Sequence, residues 1–256
     1  MSQLALALEA GVSTRHLSYV ETGKAQPSRD LVVQLAETLE MPLRERNALL
    51  MAAGYASEYA ETDLETLAME QVRRAIGLIL GQQEPYPAFL LDRHWDVLTA
   101  NRAAARINRF LLPSHTGGHR NMLRRFFDPD DLRQAVVNWE EVAGNLLRHL
   151  HHEVVAAPTD ATARALLDEV LAYPGVPARW RTREVDAPLP PLLTVVFRRN
   201  DRELRFFSTF TTFGTPRDIT VDELRIECVF PADDATAEVC RTLARDEPDV
   251  RPAPRE

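Results

Sequence analysis

Residues 2–28, SQLALALEAGVSTRHLSYVETGKAQPS, read as two short helices joined by a tight turn. Ser2 can cap the first helix, Leu4, Ala5, Ala7 and Leu8 form its inward apolar side, and Gly11 supplies the left-handed residue that ends it. Ser13 or Thr14 caps a second helix at once, with Leu17 and Val20 as its inward anchors. Thr14, Arg15, Ser18 and Tyr19 are left on the opposite face. That face is short and polar, and its hydroxyls and guanidinium suit the base edges and phosphates of a DNA major groove.

The order of Gln3, Ala7, Gly11, Val12, Ser13, Leu17, Ser18, Glu21, Gly23 and Pro27 is more specific than a pair of helices. With it the stretch resembles the Cro/lambda-repressor-like, or xenobiotic-response-element, helix-turn-helix family; an ordinary helical hairpin is the alternative that ten ordered matches disfavour. The resemblance implies that Gln3 opens the motif beside a phosphate and that Ser13 to Ser18 lie on the recognition helix. The expected DNA-contacting set is Gln3, Ser13, Thr14, Arg15, Ser18, Tyr19 and Lys24. Asp30–Leu39 and Leu43–Gly54 supply the further helices that the bundle needs.

Members of that family also carry a helix ahead of the position matching Gln3, and here the sequence starts at Met1. Without that cover Leu4, Leu8 and Leu35 lose shielding, at roughly 1.5–3 kcal/mol for each large side chain left wet. Residues 1–56 carry five basic side chains against six acidic ones, a poor balance for attracting phosphate. Two readings follow: a reading frame that begins further upstream, or a copy that has lost strong DNA binding. The orderly motif favours the first.

At 256 residues and 45% hydrophobic composition the chain can bury two cores. The net charge of −8 argues against a protein that coats nucleic acid generally, so DNA contact falls to a local patch. Cys228 and Cys240 lack CxxC spacing and read as reduced thiols. No apolar run approaches ~20 residues, and no signal peptide is visible, so a cytoplasmic protein without a membrane partner is expected.

Beyond the first domain, Leu64–Leu80 has the pattern of a connecting helix that packs on both domains, stopped by EPYP at 84–87. Ala88–Leu91 and Trp95–Ala100 flank a hairpin turn, and Asn101 caps a helix through Leu111. Strand, turn, strand and capped helix is the opening order of a PAS fold. Pro113–Arg120 reads as a loop, Met122–Phe127 as a short helix, Asp130–Ala156 as one long amphipathic helix, and Asp160–Tyr173 as another. Leu192–Arg198, Leu204–Phe213 and Ile219–Phe230 read as three long strands, with a last helix at Asp233–Arg245 and a disordered tail at Glu247–Glu256. The expected fold is α+β: an all-α helix-turn-helix bundle lacking its first helix (1–56), a connector (57–84), and a PAS-like domain with a five-stranded antiparallel sheet and helices (85–246).

Four segments, LLDRHWDVLTANRAA, NWEEVAGNLLRHL, LLDEVLAYPGVP and LRFFSTFTTFGTPRDITVDELRIECVFP, resemble the MmyB-like ligand-binding domain of actinobacterial-type regulators. The resemblance implies a long-chain, fatty-acid-type ligand. Alternation along 204–213 sets Leu204, Phe206, Ser208, Phe210 and Thr212 on one face, and Arg205, Phe207, Thr209, Thr211 and Phe213 on the other. Both faces mix aromatics with hydroxyls, which suits an apolar cavity with a few polar groups, although phenylalanines in strands are also ordinary core. Trp95, Asn138, Trp139, Arg205, Phe207, Thr209, Phe210 and Phe213 are the candidate ligand-binding residues, with Arg205 or a hydroxyl meeting a carboxylate.

HLHHE at 149–153 lacks HExxH spacing and reads as a solvated helix end. No GxSxG, GK[ST] or strand-following GxGxxG is present, so hydrolase, nucleotide-binding and dehydrogenase chemistry has no support. No catalytic residue, metal or cofactor is expected. The expectation is a homodimeric transcriptional regulator whose partners are double-stranded DNA and a small apolar, fatty-acid-like ligand. The alternative is a ligand-sensing or protein-interaction module that has lost DNA binding with its first helix.

Overall fold

The computed structural model describes residues 1–114, 118–181 and 191–246. The expected tail at 247–256 and part of the loop expected at Pro113–Arg120 lie outside the described residues. The chain divides into two compact units, Met1–Val72 with Phe213–Glu223, and Arg73–Thr212 with the chain from Leu224 onward.

The first unit is helical: α1 (Gln3–Glu9), α2 (Thr14–Glu21), α3 (Arg29–Thr38) and α4 (Leu43–Ala52). Ser2, Ser13 and Ser28 each accept a hydrogen bond from the amide three residues on, at 3.2, 3.1 and 3.2 Å, so one residue type sets three helix starts. Gly11 has φ +60°, which frees the chain to turn sharply from α1 into α2. Ala7, Ala10, Leu17, Leu31 and Leu35 form the core. Leu4 and Leu8, expected to face inward, are 60% and 73% exposed. Ala5 is exposed too. The side of α1 that packs is defined by Ala7 and Ala10, about a quarter-turn round from Leu4 and Leu8.

α4 follows Pro42, which has no side chain able to cap it. The cap comes from far along the chain: Asp222 Oδ2 accepts from the Leu43 amide at 2.9 Å. Asp222 lies in α10 (Ile219–Glu223), whose neighbour Asp218 accepts from the Thr62 hydroxyl at 2.6 Å, while the Ile219 amide donates to the Ala60 carbonyl at 2.8 Å. Glu223 pairs with Arg44 at 2.6 Å. Asn47 is buried with both ends of its amide bonded, Nδ2 donating to the Tyr59 carbonyl at 2.7 Å and Oδ1 accepting from the Glu58 and Tyr59 amides at 2.9 and 3.1 Å.

The second unit is built on a five-stranded sheet of β1 (Ala88–Leu91), β2 (Val97–Ala100), β3 (Val195–Arg199), β4 (Arg202–Thr211) and β5 (Arg225–Pro231), in the order β2-β1-β5-β4-β3. Every adjacent pair is antiparallel, so the molecule is α+β. Its helices are α5 (Glu70–Gln82, its first turn in the first unit), α6 (Arg102–Leu111), α7 (Met122–Phe127), α8 (Trp139–Ala156), α9 (Ala161–Ala172) and α11 (Asp234–Arg245). Asn101 caps α6 and is satisfied throughout: Oδ1 accepts from the amides of Ala88 and Ala104, both at 3.0 Å, and Nδ2 donates to the carbonyls of Tyr86 and Leu80 at 2.8 and 3.2 Å. Phe127, Leu147, Leu150 and Val170 are the centre of one core cluster, and Leu204, Phe206, Val142 and Phe197 belong to another. Cys228 and Cys240 are free and buried.

Two segments depart from the periodicity of the sequence. The helix expected over Asp130–Ala156 is broken: Leu132–Ala135 is a single 3-10 turn, and α8 begins only at Trp139. Between them the Val137 amide donates to the Val196 carbonyl at 2.7 Å, so the backbone is captured by the edge strand β3. The strand expected over Ile219–Phe230 is also divided, into α10 and β5, because Asp218 and Asp222 anchor its first half in the helical unit.

Candidate nucleic-acid interface and ligand cavity

The outward side of α2 carries the groove-facing candidates. Ser13, Thr14, Arg15 and Tyr19 are exposed and Ser18 is half-buried, while Leu17 faces the core. Arg15 donates Nε and Nη2 to the Tyr19 hydroxyl at 3.2 and 3.0 Å, with its guanidinium 5.4 Å from the ring centroid. The Lys24 ammonium lies 5.9 Å from the same centroid. Tyr19 thus gathers two cations, one from α2 and one from just past its end, into one small positive patch. Gln3 stands apart from that patch, its Nε2 donating to Glu21 at 2.5 Å and tying the start of α1 to the end of α2.

The second unit holds a half-open cavity, about 650 Å³ of empty space when the open solvent at its mouth is counted. Strand alternation explains its wall. The register pairs Phe89 with Glu227, Ser208 with Val229 and Val195 with Phe206, so these six side chains share one face of the sheet. Ala104, Ile107, Asn108 and Leu111 of α6, Met122, Arg125 and Phe126 of α7, and Leu132 close the other side, with Pro87, Phe197 and Phe207 also in the lining. Asn108, Arg125, Ser208 and Glu227 are the polar side chains among these residues. Arg125 is held in place by Asp131 at 3.3 Å and by Asn108 Oδ1. Burial pushes the Glu227 carboxyl above the usual carboxylate range, against the opposing pull of its hydrogen bond with Ser208.

Of the eight ligand-binding candidates, the structure sets Phe207 in the cavity wall. Trp95 is buried, its Nε1 donating to Glu153 at 2.9 Å and its ring edge-on to Phe210 at 6.0 Å. Trp139 donates Nε1 to the Phe126 carbonyl at 2.7 Å under the Arg133 guanidinium, 3.7 Å from its ring, and so holds a residue that lines the cavity. Asn138 is not mid-helix: it accepts from the Val196 amide at 2.9 Å and donates to the Thr194 carbonyl at 2.8 Å, stapling β3. Arg205 is exposed and pairs with Glu203 at 2.7 Å. Thr209 and Phe210 are exposed, and Phe213 belongs to the helical unit. Sequence reasoning missed Arg125, Asn108 and Glu227. The sign available for Glu227 was an acid within the apolar strand RIECVFP; nothing comparable marked the other two.

His149 and His152 are exposed, His151 lies 3.1 Å from the Trp180 carbonyl, and Glu153 is spent on Trp95 and Arg225. Among the described residues no group of three or more His, Cys, Asp or Glu could hold a metal ion, and no helix is long and apolar enough to cross a membrane.

The family model of the MmyB-like transcription regulator ligand binding domain matches residues 72–243. The chain belongs to this family. A helix-turn-helix model matches residues 1–46, so the chain joins a helix-turn-helix to a MmyB-like transcription regulator ligand binding domain. No curated protein matches it. Among solved structures, an RNA-binding light-oxygen-voltage receptor is similar at 13% identity with a TM-score of 0.25; the match covers 95% of the MmyB-like chain and 56% of the receptor.

Proposed function

We propose that this MmyB-like chain is a one-component regulator: a homodimer places α2 of each copy in the major groove of a roughly palindromic operator, and a small apolar, fatty-acid-like molecule in the cavity changes how the two readers are placed. The observation that carries this reading is the outward side of α2 and the turn after it, where Arg15, Tyr19 and Lys24 are grouped on solvent-exposed positions, with Leu17 of the same helix buried. The wall built from Phe89, Phe206, Phe197, Ile107 and Val229 supports an apolar effector, and its strand order suits a PAS-like sensor. An effector shifts such an equilibrium only by the difference between its affinities for the two arrangements.

Two covalent routes are available to carry that difference. One is the connector of residues 64–80. The other is the segment Phe213–Glu223, which leaves β4 and returns to β5 after capping α4. The test is a fluorescence-anisotropy titration of the full chain on its operator at fixed salt. Arg15→Ala with Ser18→Ala is expected to weaken binding tenfold or more, and an unchanged isotherm refutes the assignment.

The second reading, a ligand-sensing module that does not bind DNA, is favoured by one observation, the exposure of Leu4 and Leu8 on the helical unit. In that case the unaltered chain shows no operator preference in the same titration, while still binding its ligand.

A further inference from the structure

Arg125 of α7 and Asn108 of α6 bring hydrogen-bond donors to the helical wall of the cavity. The Arg125 side chain is 13% exposed and that of its partner Asp131 is 2% exposed. Arg125 Nε donates to Asp131 Oδ1 at 3.3 Å, and its Nη2 donates to Asn108 Oδ1. A guanidinium has five N–H groups and no acceptor, so both hydrogens of Nη1 and one of Nη2 take no partner among the described residues. The same bond orients Asn108. Its oxygen is turned to the guanidinium, and the two N–H groups of Nδ2 are left without a partner among the described residues. The ion pair therefore anchors Arg125 through Nε and leaves the outer nitrogens to a ligand. Glu227 stands on the sheet side, hydrogen-bonded to Ser208, and no ion pair joins it to Arg125 among the described residues. Burial favours its uncharged form, so it is a hydrogen-bonding neighbour and not a rival anion. Hydrocarbon laid over the donors of Arg125 and Asn108 would strip them of water and return nothing, so an amphiphile that fills this cavity has to bring them an acceptor.

We propose that Arg125 and Asn108 are the head-group site of the cavity: the outer nitrogens of the guanidinium and Asn108 Nδ2 receive a carboxylate, while the hydrocarbon tail lies against Phe89, Ile107, Leu132 and Phe206. This deepens the effector reading given above and rests on it. A planar monoanion with two oxygens matches a fork of neighbouring nitrogens. A hydroxyl answers one N–H of several, and an amine sets donor against donor. The part expected of Arg205 falls to Arg125, since Arg205 is exposed and paired with Glu203 at 2.7 Å.

The test is isothermal titration calorimetry of the full chain with octanoate, octan-1-ol and octylamine at one pH and ionic strength, repeated on Arg125→Met, Asn108→Ala and Arg205→Ala. Thermal melts verify that each variant folds; Asn108→Ala leaves the pair of Arg125 with the buried Asp131 in place and decides the matter alone if Arg125→Met does not fold. Octanoate is expected to bind the unaltered chain about tenfold or more tightly than octylamine, with octanol between. The net charge of −8 works against that order, so it cannot come from general attraction. Arg125→Met then lowers octanoate affinity by about tenfold or more and Asn108→Ala by about threefold or more, while octanol in both, and octanoate in Arg205→Ala, stay within about threefold of the original. Octanol or octylamine binding tightest in the unaltered chain overturns the proposal and leaves the apolar-effector reading standing. So does an octanoate affinity that the folded Arg125 and Asn108 variants leave unchanged, which would place the carboxylate elsewhere. Failure of all three probes to bind overturns the effector reading itself.

Discussion

Asn138 redirects a whole segment with one amide. Its Oδ1 accepts the Val196 amide and its Nδ2 donates to the Thr194 carbonyl, at 2.9 and 2.8 Å, just where the helical pattern of 130–156 is interrupted. Asn138→Ala is expected to cost about 1–3 kcal/mol in urea unfolding, because the Val196 amide loses its partner beside the core. Asp160 is a second such residue. It caps α9 through the Thr162 and Ala163 amides, both at 3.0 Å, and meets Arg93 and His94. Burial alone would raise its carboxyl, but the Ala163 amide, Arg93 and His94 outweigh that and hold it well below the usual range. A carboxyl lowered in the folded state contributes stability above its unfolded value and loses that contribution as pH falls through and below about 4. Asp160→Asn should therefore lower stability at neutral pH and flatten the acid limb of the stability curve, read from urea midpoints between pH 7 and pH 3.

At the scale of elements, α4 is the most instructive, since its own sequence provides no cap. Asp222 supplies one from 179 residues away. Asp222→Ala is expected to cost about 1 kcal/mol, the usual value of a lost N-cap, measured by chemical denaturation. If Phe213–Glu223 carries the effector's influence, the same variant should also reduce the change in operator affinity that the effector produces, while ligand binding measured by calorimetry stays within about threefold of the original. Both misread segments fail for one reason. Periodicity reports which side of an element is apolar, not which partner captures the backbone, and at 136–138 and 218–223 the partner is remote in sequence. The starts of α1, α2, α3 and α6 were legible because the caps Ser2, Ser13, Ser28 and Asn101 act within four residues.

For the whole molecule, charge sets the expected behaviour on DNA. The chain carries a net charge of −8, and the patch around Tyr19 offers Arg15 and Lys24. Neutralising two phosphates per copy corresponds to a slope of about −2 in log K against log salt for each protomer, shallow for a DNA-binding protein. A titration between about 50 and 200 mM salt checks this; a slope twice as steep would show that other basic residues of the unit also reach the backbone.

The amino-acid order alone determined the helix-turn-helix, the α+β class, the five strands' existence and the outward face of α2, because all of these follow from local caps, turn residues and periods of 3.6 and 2. Tertiary structure decided the rest. Which residues line the cavity depends on strand register and on which helices cover that face, so Arg125 and Glu227 line the same cavity although they are 102 positions apart in the chain. The place of 213–223 was equally beyond local signals, since a short segment of mixed β-branched and acidic residues takes the conformation that its distant hydrogen-bond partners impose.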